Sequence, residues 1–404
     1  MIVQMAWRNI WRNKMRSLVI ALSVAIGLFA GLAVLALHKG MLKSRVRTVI
    51  DAEVSHIQIH HPEFKKDFEP QFTIGGKDQI LENIRSSDLV KALAPRSVTQ
   101  AMLATTAGSA GVQVNGIVPG PENEVSRLDR KIREGNGFSQ HKKNEILIGR
   151  KLADKMKLRP GSRLVLTFTD TGASIVSAAF RITGIYQTDN APLDERNVYV
   201  NMNDLNELLG IGSSFHEIAI LLKNDHDLAT AQEELKNRYP GELVESWKEI
   251  SPETELMVST MDYYMFIIIG IIMLALAFGI INTMLMAILE RTGEIGMMVA
   301  LGMNRPRLFS LVLLETIFLT TIGIPLGLLI AWLATGYFNK TGIDTSSFAG
   351  ETMSSFGFSS IIYPEFPVEE LPVVLTIVII TALFSSILPA LKSGRLQPVE
   401  ALRK

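Results

Sequence analysis

Four stretches of this chain are each about twenty residues or longer and almost free of charge: Leu18 to Leu37, Tyr263 to Leu289, Leu308 to Tyr337 and Leu371 to Leu391. A bilayer's hydrocarbon core is about 30 Å thick, so a helix needs roughly 20 apolar residues to cross it, and no water is available there to satisfy an irregular backbone. A membrane α-helical fold with four transmembrane helices is therefore expected. The 404 residues are 48% hydrophobic, yet 20% are charged. That mixture suits membrane helices joined to a soluble domain better than an ordinary soluble enzyme. Net charge is zero, so nothing in the overall balance points to nucleic acid. Cysteine is absent, which excludes disulfides and thiolate metal sites.

Orientation follows from lysine and arginine close to the segment ends. Arg8, Arg12, Lys14 and Arg16 precede the first segment with no acidic residue among them, and Lys392, Arg395, Arg403 and Lys404 follow the fourth against Glu400 alone. The loop from Phe338 to Glu370 instead holds Lys340 against Asp344, Glu351, Glu365, Glu369 and Glu370. Both termini are thus expected in the cytoplasm, and residues 40–258 and 338–370 outside. Residues 1–17 read as an amphipathic stretch in which Met5, Trp7, Ile10 and Trp11 alternate with basic residues, tryptophans at headgroup level. An extension of the first helix is the plainer alternative. The apolar run that follows is longer than a signal-peptide core and lacks a small-x-small site, so an uncleaved anchor is expected. Glu315 is the one ionisable residue within the four segments. It is expected to face a neighbouring helix or reach toward the interface, with a functional carboxylate as the alternative.

Between the first two segments the pattern changes. Ile57 and Ile59 alternate with Gln58 and His60, Leu164, Leu166 and Phe168 with Val165 and Thr167, and Ile218, Ile220 and Leu222 keep a similar rhythm. These read as half-buried strands. Lys77 to Arg85 and Asp227 to Tyr239 read as helices, the second with Leu228, Ala231 and Leu235 on one stripe. Asn144 to Leu166 reads as strand, helix, Pro160-Gly161 turn and strand. A large α+β extracytoplasmic domain is expected, with a subdomain inserted at about residues 137–215.

Catalytic patterns are missing. A motor of its own would need G-x-x-x-x-G-K-[ST], whose backbone N–H groups and lysine enclose nucleotide phosphates; Gly75-Gly76-Lys77 is followed by Asp78 and reads as a turn. His56, His60 and His61, with Glu63 nearby, are close enough in sequence for a metal, but alternation sends His61 to the opposite face from His56 and His60. There is no H-E-x-x-H and no G-x-S-x-G. The expectation is no catalytic, cofactor or metal residue in this chain.

Residues 290–307, between the second and third segments, carry the strongest functional signal. They read Glu290-Arg291-Thr292-Gly293-Glu294-Ile295-Gly296-Met297-Met298-Val299-Ala300-Leu301-Gly302-Met303-Asn304-Arg305-Pro306-Arg307. Thr292 is expected to cap a short helix, Ile295, Met298 and Val299 to share an apolar face, Gly302 to stop the helix and Pro306 to prevent its continuation. A loop that only reversed the chain would need no apolar face. That face is expected either on the membrane surface or in a groove of a soluble partner.

The run ERTGEIGMMVALGMNRPRLFSLVLLE resembles the coupling region of the permeases in the MacB and FtsX superfamily of ABC transporters, with its ERxxEIG and ALG pattern. The terminal LPALKSGRLQPVEALRK, the opening MAWRNIWRNKMRS and the central NEILIGRKLADKMKLRPGSRLVL are also similar to stretches of that family. The resemblance implies a dimer of permeases, with a second copy or a paralogue, served by a separate cytoplasmic ATPase that binds ATP and Mg. It further implies that Glu290, Arg291, Thr292, Glu294, Ile295, Gly296, Met298, Val299, Ala300, Leu301 and Gly302 couple to that ATPase. Cargo would be moved by the outer domains and not through the bundle. Length, the IQIHHP stretch and the loop before the fourth segment look most like the lipoprotein-releasing LolC/LolE branch. That implies the bacterial inner membrane, membrane lipids and a periplasmic lipoprotein carrier as surroundings. Efflux of a small molecule or peptide is the alternative within the family, and a membrane sensor or scaffold regulating a cell-wall enzyme the alternative outside it. Gly27 with Gly31, and Gly323 with Gly327 around Pro325, form small-xxx-small pairs expected at helix–helix contacts.

Overall fold

The computed structural model describes residues 2–12, 14–74, 77–139 and 142–394. The chain divides into two compact units: Met1–Leu42 with Val258–Ile343 and Ile362–Lys404, and Lys43–Met257 with Asp344–Ile361.

The first unit is helical. An amphipathic helix, Ile2–Arg12, precedes four long ones, Lys14–Thr48, Pro252–Glu290, Arg305–Thr341 and Leu371–Gly394, with the short helix Thr292–Ala300 between the second and third. All four long helices contain stretches long and apolar enough to cross a membrane. Three of them, of 35, 39 and 37 residues, are roughly 50–60 Å long at 1.5 Å per residue, well beyond the apolar windows read from the sequence. The helices do not stop where hydrophobicity stops. Ile20, Val24, Leu28, Leu32 and Leu35 recur every three or four residues and join the core of this unit, with Ile269, Met273, Leu276 and Ile280 from the second long helix. Half of the first helix's most apolar window is buried, against 22–28% for the others. The first helix is thus the axis around which the unit packs.

The second unit is built on a mixed sheet. Its strands are β1 (Ile57–His60), β2 (Val90–Thr105), β3 (Gly108–Ile117), β4 (Ile132–Gly135), β5 (Glu145–Gly149), β6 (Arg163–Thr169), β7 (Ile175–Tyr186), β8 (Asn197–Asn201), β9 (Glu217–Leu222) and β10 (Leu243–Ser246). The order is β10-β1-β9-β2-β3-β8-β5-β7-β4, and β6 bridges β2 and β7. β6 alternates exposed and buried as read from the sequence. β1 and β9 do not: every residue of both is buried. Their polar positions were expected to face water and instead face a buried network.

Of the four hydrophobic clusters around the sheet among the described residues, two are large. One takes Ile57, Ile59, Leu93, Ile218, Ile220 and Leu235; the other takes Leu103, Val114, Ile148, Leu152, Leu166 and Phe180. The second core therefore draws on β2 and β3, so a subdomain bounded at residues 137–215 omits part of its own core. The cause is the length of β2, whose 16 residues begin in one core and end in the other.

Charge is buried between these layers. Arg96, 6% exposed, donates from Nε and Nη2 to Glu122 at 2.9 and 2.8 Å and from Nη1 to Glu217 at 2.9 Å. Glu217 also accepts from Gln58 and from His60 Nε2, each at 3.1 Å. Burial alone would lift the Glu217 carboxyl, but the His60 hydrogen bond and the Arg96 charge outweigh it and hold it at about 2. Elsewhere burial dominates. It pushes Asp194 up to about 7 despite hydrogen bonds from Thr188, and Lys131 down to about 8 although Lys131 donates to the Asp51 carbonyl oxygen at 2.7 Å.

Candidate functional site

The helix Thr292–Ala300 is defined sharply at its C-terminal end. Gly302 adopts φ +94°, and its N–H donates to the Val299 carbonyl at 3.0 Å while the Met303 N–H donates to that of Met298 at 3.0 Å. This pair of bonds is a Schellman stop, which glycine at this position permits. Asn304 then opens the third long helix, its Oδ1 accepting from the Arg307 N–H at 3.1 Å, with Pro306 in the first turn. The start differs from expectation. Thr292 is the first helical residue and not the cap, and its hydroxyl donates back to the Leu289 carbonyl at 3.2 Å, which occupies it.

The apolar face lies in part against the helices' own unit. Ile295 is 5% exposed, and Met298 and Val299 pack with it against the core of the helices' own unit. Ile295 is thereby satisfied within the chain, in one core with Met284, Ile288 and Leu308, while Met298 and Val299 are half-buried against it. The outward side consists of Glu290, Glu294, Met297, Ala300, Leu301 and Gly302. Met297 is 56% and Leu301 83% exposed. Met297 was not singled out in the sequence; its position two residues after Ile295, off the apolar stripe, is the signal that places it outside.

Arg291 also points inward. Its side chain is 11% exposed; Nη1 donates to Glu315 Oε1 at 3.3 Å and Nε to Glu294 Oε2 at 3.2 Å. The same Glu315 oxygen accepts from Asn9 Nδ2 at 2.7 Å, and Arg12 pairs with Glu294. Three elements thus meet at one group of polar side chains: the amphipathic helix, the loop between the second and third long helices, and the third long helix. Asn9 was missed in the sequence, although it interrupts the stripe Ile2, Met5, Ala6, Ile10 with an amide.

All four glycines singled out lie against neighbouring helices. A Cβ on Gly27 would meet Leu276 at 2.8 Å, and one on Gly31 would meet Met273 at 3.6 Å. On Gly323 it would meet the Ala21 carbonyl oxygen at 2.7 Å, and on Gly327 that of Ala25 at 2.7 Å. The first helix therefore approaches the second with one side and the third with the other, all within one chain.

The histidines are otherwise engaged. His56 Nδ1 accepts from the Leu222 N–H and its Nε2 pairs with Asp225 at 3.0 Å; His60 holds Glu217; His61 Nδ1 accepts from the Glu63 N–H, and its ring stacks on Phe72. No group of three or more His, Cys, Asp or Glu suited to a metal occurs among the described residues. Gly75-Gly76 and the terminal residues 395–404 lie outside the described residues.

Four membrane-length helices, with a large mixed α/β domain between the first two in sequence and a short helix between the second and third, define a polytopic membrane protein with a large domain outside the apolar segments. Residues 17–238 match the family model of the MacB-like periplasmic core domain, and residues 266–398 that of the FtsX-like permease C-terminal region. The chain belongs to the MacB/FtsX family of ABC transporter permeases. It is similar to the lipoprotein-releasing system transmembrane protein LolC of Haemophilus influenzae, 23% identical over 341 residues, which is 81% of this chain and 80% of that protein. It is also similar to an uncharacterised ABC transporter permease of Methanocaldococcus jannaschii, 26% identical over 173 residues, 40% of this chain and 43% of that one. Among solved structures, the periplasmic region of MacB from Actinobacillus actinomycetemcomitans aligns with 53% of this chain and 97% of its own length, at 13% identity and a TM-score of 0.36.

Proposed function

We propose that this chain is the permease subunit that carries ATP-driven movement of a separate cytoplasmic ATPase to an extracytoplasmic domain, in the service of lipoprotein release from the bacterial inner membrane. The observation that carries the reading is the outward side of the helix Thr292–Ala300. Met297 and Leu301 stand exposed at the end of the bundle that the arginine and lysine bias assigns to the cytoplasm, flanked by Glu290 and Glu294. A short, firmly stopped helix with apolar side chains presented outward suits insertion into a groove. ATP and Mg would be held by the ATPase, and a second permease copy or a paralogue would complete the assembly. Membrane lipids and a periplasmic lipoprotein carrier are the remaining partners of this reading.

Lipoprotein as cargo is favoured by a cavity of about 460 Å³ in the helical unit. Leu35, Leu42, Phe266, Ile269 and Ile377 line it, and Lys39 at its edge pairs with Glu370 at 3.3 Å and Glu369 at 3.4 Å. An apolar space edged by paired charge suits an acyl chain beneath a polar head.

The test is co-purification in mild detergent. Met297→Glu and Leu301→Glu are expected to abolish recovery of the ATPase while permease yield stays at wild-type level, and depletion of the permease is expected to retain acylated lipoproteins in the inner membrane. Undiminished ATPase recovery with both variants would sink the coupling assignment; normal lipoprotein sorting on depletion would sink the cargo assignment.

A further inference from the structure

We propose that Glu315 is a positioning residue that clasps the amphipathic helix and the coupling loop to the third long helix, so that the three move as one body when the coupling helix is pushed. The inference rests on the coupling role proposed for the helix Thr292–Ala300 and adds the element that receives the push.

The geometry is a closed polar ring. Asn9 and Arg12 come from the amphipathic helix, Arg291 and Glu294 from the coupling loop, and Glu315 from the third long helix. Around it run Asn9 to Glu315, Glu315 to Arg291, Arg291 to Glu294, and Glu294 to Arg12, which returns to the helix of Asn9. Exposure is graded along the ring: the Arg12 and Glu294 side chains are 53% and 49% exposed, those of Arg291 and Glu315 only 11% and 12%. The outer half lies in water, where such pairs contribute little. The inner half lies where a charge is tolerated only when paired.

Glu315 is what makes the ring more than a surface ion pair. A carboxylate within an apolar stretch is costly in itself, and its only gain here is contact with two other segments. The guanidinium of Arg291 is not bidentate to either carboxylate: it gives Nη1 to Glu315 and Nε to Glu294, and Nη2 is buried with no hydrogen-bond partner among the described residues. One cation therefore spans two carboxylates on different helices, which suits a joint. Apolar contacts reinforce it, since Trp7 packs edge-on against Phe318 with ring centroids 5.5 Å apart, on the turn following Glu315. Ile295 already seats the short helix on the bundle core; the clasp adds a link from that seat to the amphipathic helix.

Because the chain has no cysteine, pairs of spin labels can be placed without removing native thiols. Labels at Arg8→Cys and Arg307→Cys, both exposed, report the amphipathic helix against the start of the third long helix. The distance is measured in the full-length permease alone, and again in its complex with the co-purified ATPase before and after a non-hydrolysable ATP analogue. One narrow distribution common to all three states is expected. Glu315→Ala and Asn9→Leu are expected to broaden it at least twofold in the permease alone. Glu315→Gln, which keeps an acceptor for Asn9, is expected to fall between, and it serves where Glu315→Ala is poorly folded. In the complex, Glu315→Ala is expected to leave the KM for MgATP unchanged and lower kcat severalfold, with Glu315→Gln restoring at least half. A distribution as narrow as wild type in Glu315→Ala and Asn9→Leu, or an undiminished kcat in Glu315→Ala, overturns the proposal. Failure of any ATPase to co-purify with wild type would instead overturn the coupling role, while the distances in the permease alone still decide the clasp.

Discussion

Adding one methyl group to Gly323 tests how closely the first and third long helices approach. Its Cβ would lie 2.7 Å from the Ala21 carbonyl oxygen and 2.8 Å from Val24 Cβ. Both are fixed parts of a helix and cannot rotate aside as a long side chain would. Carbon needs about 3.5 Å, so the helices must separate by roughly 0.7 Å. A gap of that size forfeits about a quarter to a half of each dispersion contact along the seam, and overpacking of this kind costs about 1–3 kcal/mol. The better helix propensity of alanine returns about 0.5–1 kcal/mol, and because both clashing atoms are fixed the overpacking cost lies toward its upper end, leaving a net loss of up to about 2.5 kcal/mol. Gly323→Ala is therefore expected to lower the unfolding midpoint of the purified permease in mild detergent by on the order of a few degrees. Gly336→Ala is the control on the same helix: nothing lies within 4 Å of its Cβ, so its midpoint should hold or rise. Gly327 faces the same seam, at 2.7 Å from the Ala25 carbonyl oxygen. Once one methyl has parted the helices the second meets less resistance, and Gly323→Ala with Gly327→Ala should cost less than the sum of the two. A wild-type midpoint in Gly323→Ala, or an equal fall in Gly336→Ala, would refute the reasoning.

Four further outcomes follow from the buried groups and from the loop between the second and third long helices. Arg96→Ala strands the buried carboxylates of Glu122 and Glu217 and should destabilise the outer unit by about 3–5 kcal/mol, read as faster proteolysis of the Lys43–Met257 region at unchanged membrane insertion. Asp194 is protonated in the folded chain up to about pH 7 but in the unfolded chain only up to about pH 4. The folded state therefore binds the extra proton between those values, and stability should fall as pH rises from about 4 to about 7, by up to about 1.4 kcal/mol per pH unit from this group. Asp194→Asn should remove that component of the slope in thermal melts, and an unchanged slope would be the contrary result. Lys131, lowered to about 8, acts in the opposite range, with stability recovering as pH rises from about 8 toward 10.5. Ile295→Ala should lower the unfolding midpoint, because a 5% exposed side chain leaves a cavity, whereas Leu301→Ala at 83% exposure should leave the midpoint alone and weaken ATPase recovery.

Much of this architecture is visible in residue order, because membrane helices and helix stops are written locally. Twenty apolar residues can only cross or be buried, and Gly302 followed by Asn304 and Pro306 ends one helix and starts the next through bonds that span five residues at most. Alternation found β1 and β9 for the same reason, yet it misjudged their surroundings. Gln58 and His60 occupy the positions that water takes in a half-exposed strand, but here they face Glu217, which is 159 and 157 residues away in sequence. Nothing local announces that a carboxylate will be buried with its arginine.

The loop between the second and third long helices shows the same limit from the other side. Ile295, Met298 and Val299 mark an apolar face by their spacing, and spacing cannot say what covers it. Two polar residues carry that information, and each is conspicuous only as an exception to a stripe: Asn9 among Ile2, Met5, Ala6 and Ile10, and Glu315 within the third apolar stretch. An isolated amide in one apolar stripe and an isolated carboxylate in another are each unfavourable to bury alone, and they become tolerable when they meet. They meet at 2.7 Å on the same carboxylate that pairs with Arg291; with Ile295 buried in the bundle core, Met297 and Leu301 are the most exposed apolar side chains of the loop. The polar contact beside the short helix thus joins residues 306 positions apart, and on the coupling role proposed above, replacing Glu315 should disturb coupling even though it lies off the exposed face.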